Sequence, residues 1–145
     1  MGSYAAMFRL ILFDIDGTLI STRGAGIKAF SQVFEEIFGL PGATEGVAFG
    51  GRTDHGLVHE IFRANGIELT DENFHRFEQA YFERLTRFMP PDHREPLPGV
   101  RRFMAALKGL APAPMLGLLT GNHPRGAQIK LEHFGLWGEF ALGAF

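Results

Sequence analysis

Phe8 to Phe13 is an apolar run interrupted only by Arg9, and Asp14 ends it. A short continuous run of this kind predicts a buried parallel strand. The pattern then changes period. From Gly24 to Phe38, the residues Ile27, Phe30, Val33, Phe34, Ile37 and Phe38 recur at helical spacing, with Gly39 as the stop. Thr53 to Ala64 places Leu57, Val58, Ile61 and Phe62 on one helical face. Thr70, followed by Asp71 and Glu72, opens a third helix whose stripe is Phe74, Phe77, Tyr81, Leu85 and Phe88, and Pro90-Pro91 closes it.

Pro90 to Pro98 holds four prolines and mixed charge, and reads as a linker. Pro98-Gly99 then starts a helix carrying Val100, Phe103, Met104 and Leu107. Met115 to Leu119 predicts a second strand, Pro124 to His133 a helix ending near Gly135, and Phe140 to Phe145 a third strand. Strands separated by helices imply an α/β fold with a parallel sheet and right-handed crossovers. The helical block between the first two strands exceeds what a crossover needs. It predicts an inserted helical cap, roughly Ser21 to Glu95. The expected division is therefore residues 1–20 and 96–145 as the core, and 21–95 as the cap. Met1-Gly2-Ser3 stays outside this reading, with Met7 as a second possible start.

Composition narrows the function more than the fold. The formal net charge of -2 gives no basis for a nucleic-acid or anionic-membrane partner. No apolar run approaches the roughly 20 residues needed to span a bilayer. There is no cysteine, which excludes disulfides and thiolate metal sites and makes a cytoplasmic location the expectation. Phe is abundant at 15 residues, so heavy aromatic burial is expected.

Two loops carry the candidate chemistry. Asp14-Ile15-Asp16-Gly17-Thr18 follows the first strand directly. In an open α/β sheet, ligands bind at the carboxyl ends of strands. There Asp14 can attack phosphorus to form an aspartyl-phosphate, and Asp16 can protonate the leaving oxygen and later deprotonate water. Magnesium, a hard cation suited to oxygen donors, would hold Asp14 and a phosphate together, with Asp14 and Asp16 as ligands. Gly17 and Thr18 allow the turn and are expected to offer N–H and hydroxyl donors. The second loop is Leu119-Thr120-Gly121-Asn122. Its Thr120 hydroxyl and the amides of Gly121 and Asn122 can bind the non-reacting phosphoryl oxygens. Gly50-Gly51-Arg52-Thr53-Asp54 permits a loop reaching a ligand, with Arg52 as a substrate contact. His55 and His59 stand at i and i+4, but no third metal ligand accompanies them, so a surface pair is expected. His123, beside Asn122, is a weaker substrate candidate.

Asp14-Ile15-Asp16-Gly17-Thr18 together with Leu119-Thr120-Gly121-Asn122 resembles the haloacid dehalogenase-like hydrolase superfamily. Leu97-Pro98-Gly99-Val100 is similar to the return segment of its phosphoglycolate-phosphatase-like branch. The resemblance implies a Rossmann-like core, a helical cap, magnesium and a small-molecule phosphate ester as substrate. The second aspartate, Asp16, points to phosphatases rather than to the halide-removing members. Such enzymes also use a lysine or arginine to neutralise nucleophile and phosphate, and Lys130 is the candidate. They complete the magnesium site with an acidic pair after a later strand, whereas no Asp occurs here after Asp92. The core is accordingly expected to be incomplete at its C-terminal side, leaving the first strand open on one edge and prone to self-association. Two other readings stay open: a phosphosugar mutase using the same aspartyl-phosphate, and an inactive fragment that acts only by association.

Overall fold

The computed structural model describes residues 8–145; Met1-Gly2-Ser3 and Met7 lie outside the described residues. The order is β1 (Leu10–Phe13), α1 (Ala25–Phe38), α2 (Asp54–Ala64), α3 (Asp71–Phe88), α4 (Val100–Lys108), β2 (Met115–Leu119), α5 (Pro124–His133), a 3-10 turn at Trp137–Glu139, and β3 (Leu142–Ala144). The three strands form one parallel sheet in the order β1-β2-β3. Leu10 pairs with Met115 and Phe13 with Leu118, while Gly117 pairs with Leu142. This is an α/β, Rossmann-like sheet with a helical insert between its first two strands.

Local chemistry sets the helix ends. Thr53 caps α2 by accepting from the Gly56 N–H at 3.1 Å, and Thr70 caps α3 by accepting from the Asn73 N–H at 3.2 Å. Gly39 ends α1 in the left-handed conformation that glycine takes without penalty. The insert has its own aromatic core. Phe30, Phe34, Phe62 and Phe77 are almost wholly buried. Their rings meet edge-on or tilted, Phe30 to Phe77 at 4.8 Å and Phe34 to Phe62 at 5.9 Å between centroids. The chain leaves and re-enters the sheet side by side, because the Leu97 N–H donates to the Leu19 carbonyl at 2.9 Å.

The first strand departs from expectation. It begins at Leu10 rather than Phe8, and it is buried on one face only. Phe13 lies against Phe103 and Phe140, whereas Leu10 and Leu12 are 42% and 44% exposed. Partners in a parallel pair point to the same face, so Met115, Leu119 and Leu142 join them on a bare apolar surface. At its centre Leu12 and Leu142 fill the space above Gly117, where a Cβ would come within 2.9 and 2.6 Å of them. No described element covers this face, which is why the run reads as fully buried in sequence and is not. The third strand is also shorter than expected, Leu142–Ala144. No helix among the described residues is long and apolar enough to cross a membrane.

β1 has no strand partner on its outer side among the described residues, and it borders an apolar face. Such surfaces associate. Light scattering on the purified 16.1 kDa chain is expected to give a mass above the monomer, and Leu10→Lys with Leu142→Lys is expected to lower it. A monomer at all concentrations would contradict this.

Candidate active site

β1 and β2 end side by side, so the loops that follow them open into one cleft of about 790 Å3. Asp14, Asp16, Gly17, Arg52, Thr120, Gly121, Asn122 and Lys130 all line it, and Thr18 does not. Asp14 is exposed; its Oδ1 accepts from the Ile15 N–H at 2.8 Å, and its Oδ2 has no partner among the described residues. Past Asp14 the Ile15 carbonyl accepts from the amides of Thr18, Leu19 and Ile20, and the Gly17 N–H donates to the Ile20 carbonyl at 2.9 Å. The expected amide donors of Gly17 and Thr18 are therefore engaged inside the turn. Gly17 contributes its positive φ of 76°, which a side chain would strain.

The centre of the cleft is a network of four side chains. Lys130, from α5, is only 5% exposed. Its ammonium donates to Asp16 Oδ2 at 2.8 Å and to Asn122 Oδ1 at 2.6 Å. Asn122 Nδ2 donates to the same Asp16 oxygen at 2.9 Å and to Thr120 Oγ1 at 2.7 Å. Asp16 Oδ1 stays free of partners among the described residues. The Asn122 N–H also donates to Thr120 Oγ1, at 3.2 Å, so this amide is not available to a ligand as expected. Thr120 Oγ1 thus accepts twice, which leaves its own hydrogen to be donated. The Gly121 N–H has no acceptor among the described residues.

The insert closes on this loop through its backbone. The Asp54 N–H donates to the Gly121 carbonyl at 2.7 Å. A Cβ at Gly121 would collide with the Arg52 carbonyl and lie 3.0 Å from Thr53 Cα. Arg52 therefore meets the site through its main chain. Its guanidinium pairs with Glu60. His123 turns toward Glu78 at 3.5 Å and Phe82, away from the cleft. His55 stacks on Phe74, with 4.5 Å between ring centroids. Among the described residues no group of three or more His, Asp or Glu side chains is placed to hold a metal ion.

Two further residues of the cleft had no role of their own in the sequence reading, Asp54 as the end of the 50–54 loop and Tyr81 as part of a helical stripe. Asp54 Oδ2 accepts from the His123 N–H at 2.8 Å, which pins the start of α2 to the start of α5. Burial raises the Asp54 pKa above its ordinary value; the His123 hydrogen bond and Lys130 oppose the shift, and Asp16 adds to it. Tyr81, from α3, is 2% exposed and lines the cleft. The only signals in sequence were an acid at a helix start and a tyrosine in a stripe where phenylalanine would pack as well.

Gly121→Ala is expected to destabilise the chain by about 1–3 kcal/mol, because backbone atoms of Arg52 and Thr53 must move; a lowered melting temperature checks it. Asp54 supplies a pH signature. A carboxyl raised in the folded state binds more protons folded than unfolded, so stability falls as pH rises above its ordinary 3.8. Asp54→Asn keeps an acceptor for the His123 N–H and removes the ionisation. Denaturant titrations across this range are expected to show that fall in the unsubstituted chain and a flatter profile in Asp54→Asn. Superimposable profiles would exclude this assignment.

Comparison with known proteins agrees with the fold. The family model described as haloacid dehalogenase-like hydrolase matches residues 11–142. Among solved structures, a predicted phosphoglycolate phosphatase from Haemophilus somnus aligns with 94% of this chain at 22% identity and a TM-score of 0.62. CbbY from Rhodobacter sphaeroides, in complex with phosphate, aligns with 95% at 20% identity and a TM-score of 0.69. YfnB from Bacillus subtilis, bound to magnesium, aligns with 94% at 20% identity and a TM-score of 0.52. The chain spans 61%, 63% and 64% of these three structures respectively. No curated protein matches it. With its family model covering nearly the whole length, and with both strand-end loops opening into one cleft, the chain belongs to the haloacid dehalogenase-like hydrolases.

Proposed function

We propose that the polypeptide carrying this chain hydrolyses a small-molecule phosphate monoester, with magnesium and with Asp14 as the nucleophile. One observation carries the reading: Asp16, Asn122 and Lys130 form a single hydrogen-bonded group between the two strand-end loops, beside an Asp14 with a free oxygen. The Thr120 hydroxyl, the Gly121 N–H and the third N–H of Lys130 are the donors left for phosphoryl oxygens. In the first step Asp14 Oδ2 bonds to phosphorus as the ester oxygen departs with a proton from Asp16 Oδ1. In the second, water attacks the aspartyl-phosphate and gives its proton back to Asp16, releasing phosphate and restoring Asp14.

The donors present fit magnesium in kind. The Asp14 carboxylate is open to the cleft, and the Asp16 main-chain carbonyl accepts no hydrogen bond from the described residues. Both are hard oxygens, and magnesium commonly retains several waters beside one or two such ligands. When bound, it offsets the like charges of carboxylate and phosphate. The phosphate in CbbY and the magnesium in YfnB, two relatives in fold, support the same reading. In this view the helical insert acts as a cap. For Arg52 to touch a substrate, it must first leave Glu60.

The test is phosphate release from a panel of phosphate monoesters in magnesium. The chain alone is expected to be slow, below roughly 1 s⁻¹, because two oxygen donors hold the ion weakly. What decides is dependence on Asp14: Asp14→Asn is expected to lower the rate by roughly 10⁴-fold or more, with the fold intact by circular dichroism. Turnover that survives in folded Asp14→Asn would end the proposal.

A further inference from the structure

Tyr81 is a buried polar group that nothing in the proposed chemistry uses. The residue is 2% exposed, yet it lines the cleft, and its hydroxyl has no hydrogen-bond partner among the described residues. Three rings fix its direction: Phe30 edge-on at 5.0 Å, Phe77 stacked at 5.8 Å and Phe82 at 5.6 Å between centroids. Gly26 of α1 keeps the space before it open. A Cβ there would meet the Lys130 ammonium at 3.6 Å and the Tyr81 hydroxyl at 3.7 Å. The hydroxyl therefore stands beside the network that includes Asp16.

The ring is buried but the hydroxyl opens to the cleft, since among the described residues Arg84 Nε is the one buried side-chain polar atom without a partner; a tyrosine with a buried ring normally finds a partner for its O–H. Burial, with Asp54 and Asp16 nearby, pushes the phenol well above its ordinary pKa, so it acts only as a neutral donor or acceptor. The donors for phosphoryl oxygens come from the β2–α5 loop and Lys130. Tyr81 comes from the insert instead, with Asp54 and then Asp16 as its charged neighbours, and in the proposed reaction Asp16 faces the leaving oxygen. Phe30, Phe49 and Leu57 make the neighbouring wall apolar.

We propose that the Tyr81 hydroxyl donates a hydrogen bond to an oxygen of the leaving group, on the carbon next to the ester carbon, and so selects hydroxylated alkyl phosphates over plain alkyl phosphates. This rests on the reading of the cleft as a phosphate-ester site, and the experiment separates the two. Binding of ethyl phosphate and of glycerol 3-phosphate is measured by calorimetry in magnesium, with Asp14→Asn present throughout to prevent turnover. With Tyr81 in place, glycerol 3-phosphate is expected to bind about 5–10-fold more tightly, the effect of one hydrogen bond. Adding Tyr81→Phe is expected to abolish that preference while changing ethyl phosphate by less than about twofold.

Equal weakening of both ligands would place the hydroxyl on the phosphoryl group and overturn the proposal, as would no change in either. Failure of both ligands to bind even with Tyr81 present would overturn the phosphate-site reading and this inference with it. The chain has only two tyrosines, so a ¹³Cζ-tyrosine label reads the contact without substitution. Glycerol 3-phosphate is expected to shift the Tyr81 signal and ethyl phosphate to leave it nearly unmoved; the same shift with both would also overturn the assignment.

Discussion

A buried ammonium must be neutralised where it lies, and Lys130 imposes that condition on every element around the cleft. Taking a charge out of water costs several kcal/mol unless partners surround it. Its partners come from both strand ends, Asp16 after β1 and Asn122 after β2. They meet only because the parallel register sets Phe13 against Leu118, which brings the two loops out level. α5 begins at Pro124, directly after the second loop, and returns Lys130 to the loop it left. Gly26 on α1 faces the same nitrogen, and a Cβ there would be in ordinary contact with it at 3.6 Å. Sheet register, helix start and insert packing thus converge on one nitrogen.

The insert is held over that nitrogen by two different kinds of contact. Next to the loop after β2 it is backbone against backbone, with Asp54 N–H on the Gly121 carbonyl and the Arg52 carbonyl over the Gly121 Cα. Main-chain contact fixes distance without depending on side-chain identity beyond the glycine. Behind it, Phe30, Phe34, Phe62 and Phe77 interlock. Tyr81 and Phe49 join that aromatic cluster to the cleft, since both pack on Phe30 and both line it.

Much of this was legible in the sequence, for reasons that differ by element. The helices of the insert follow from apolar spacing, and Thr53, Thr70 and Gly39 mark their ends by chemistry that acts over a single turn. Asp14, Asp16 and Thr120 stand out because they follow apolar strands, and Lys130 lies two turns into the next helix. What failed depends on contacts distant in sequence. Exposure of Leu10 and Leu12 turns on what covers the sheet, which a strand's own residues do not encode. The engaged amides of Gly17, Thr18 and Asn122 depend on turn geometry finer than the motif. The Arg52–Glu60 pair is likewise a contact that no spacing rule selects. Tyr81 was hidden because a core tyrosine and a cleft tyrosine share the same helical stripe.

Two carboxylates only two residues apart end in unlike surroundings, and in the proposed reaction that difference lets one motif serve two roles. Leu10, Leu12 and Asp14 fall on alternate positions, so Asp14 leaves β1 on its exposed side and keeps an oxygen without a partner. Ile15, wholly buried, then anchors the turn, and its carbonyl gathers three amides. The chain folds back, and Asp16 arrives against Lys130 and Asn122 with Oδ2 held and Oδ1 open. A nucleophile needs an unencumbered oxygen with room for in-line approach. A proton carrier needs a fixed position and one free oxygen. In the proposed reaction the turn supplies both, because it buries the residue between them.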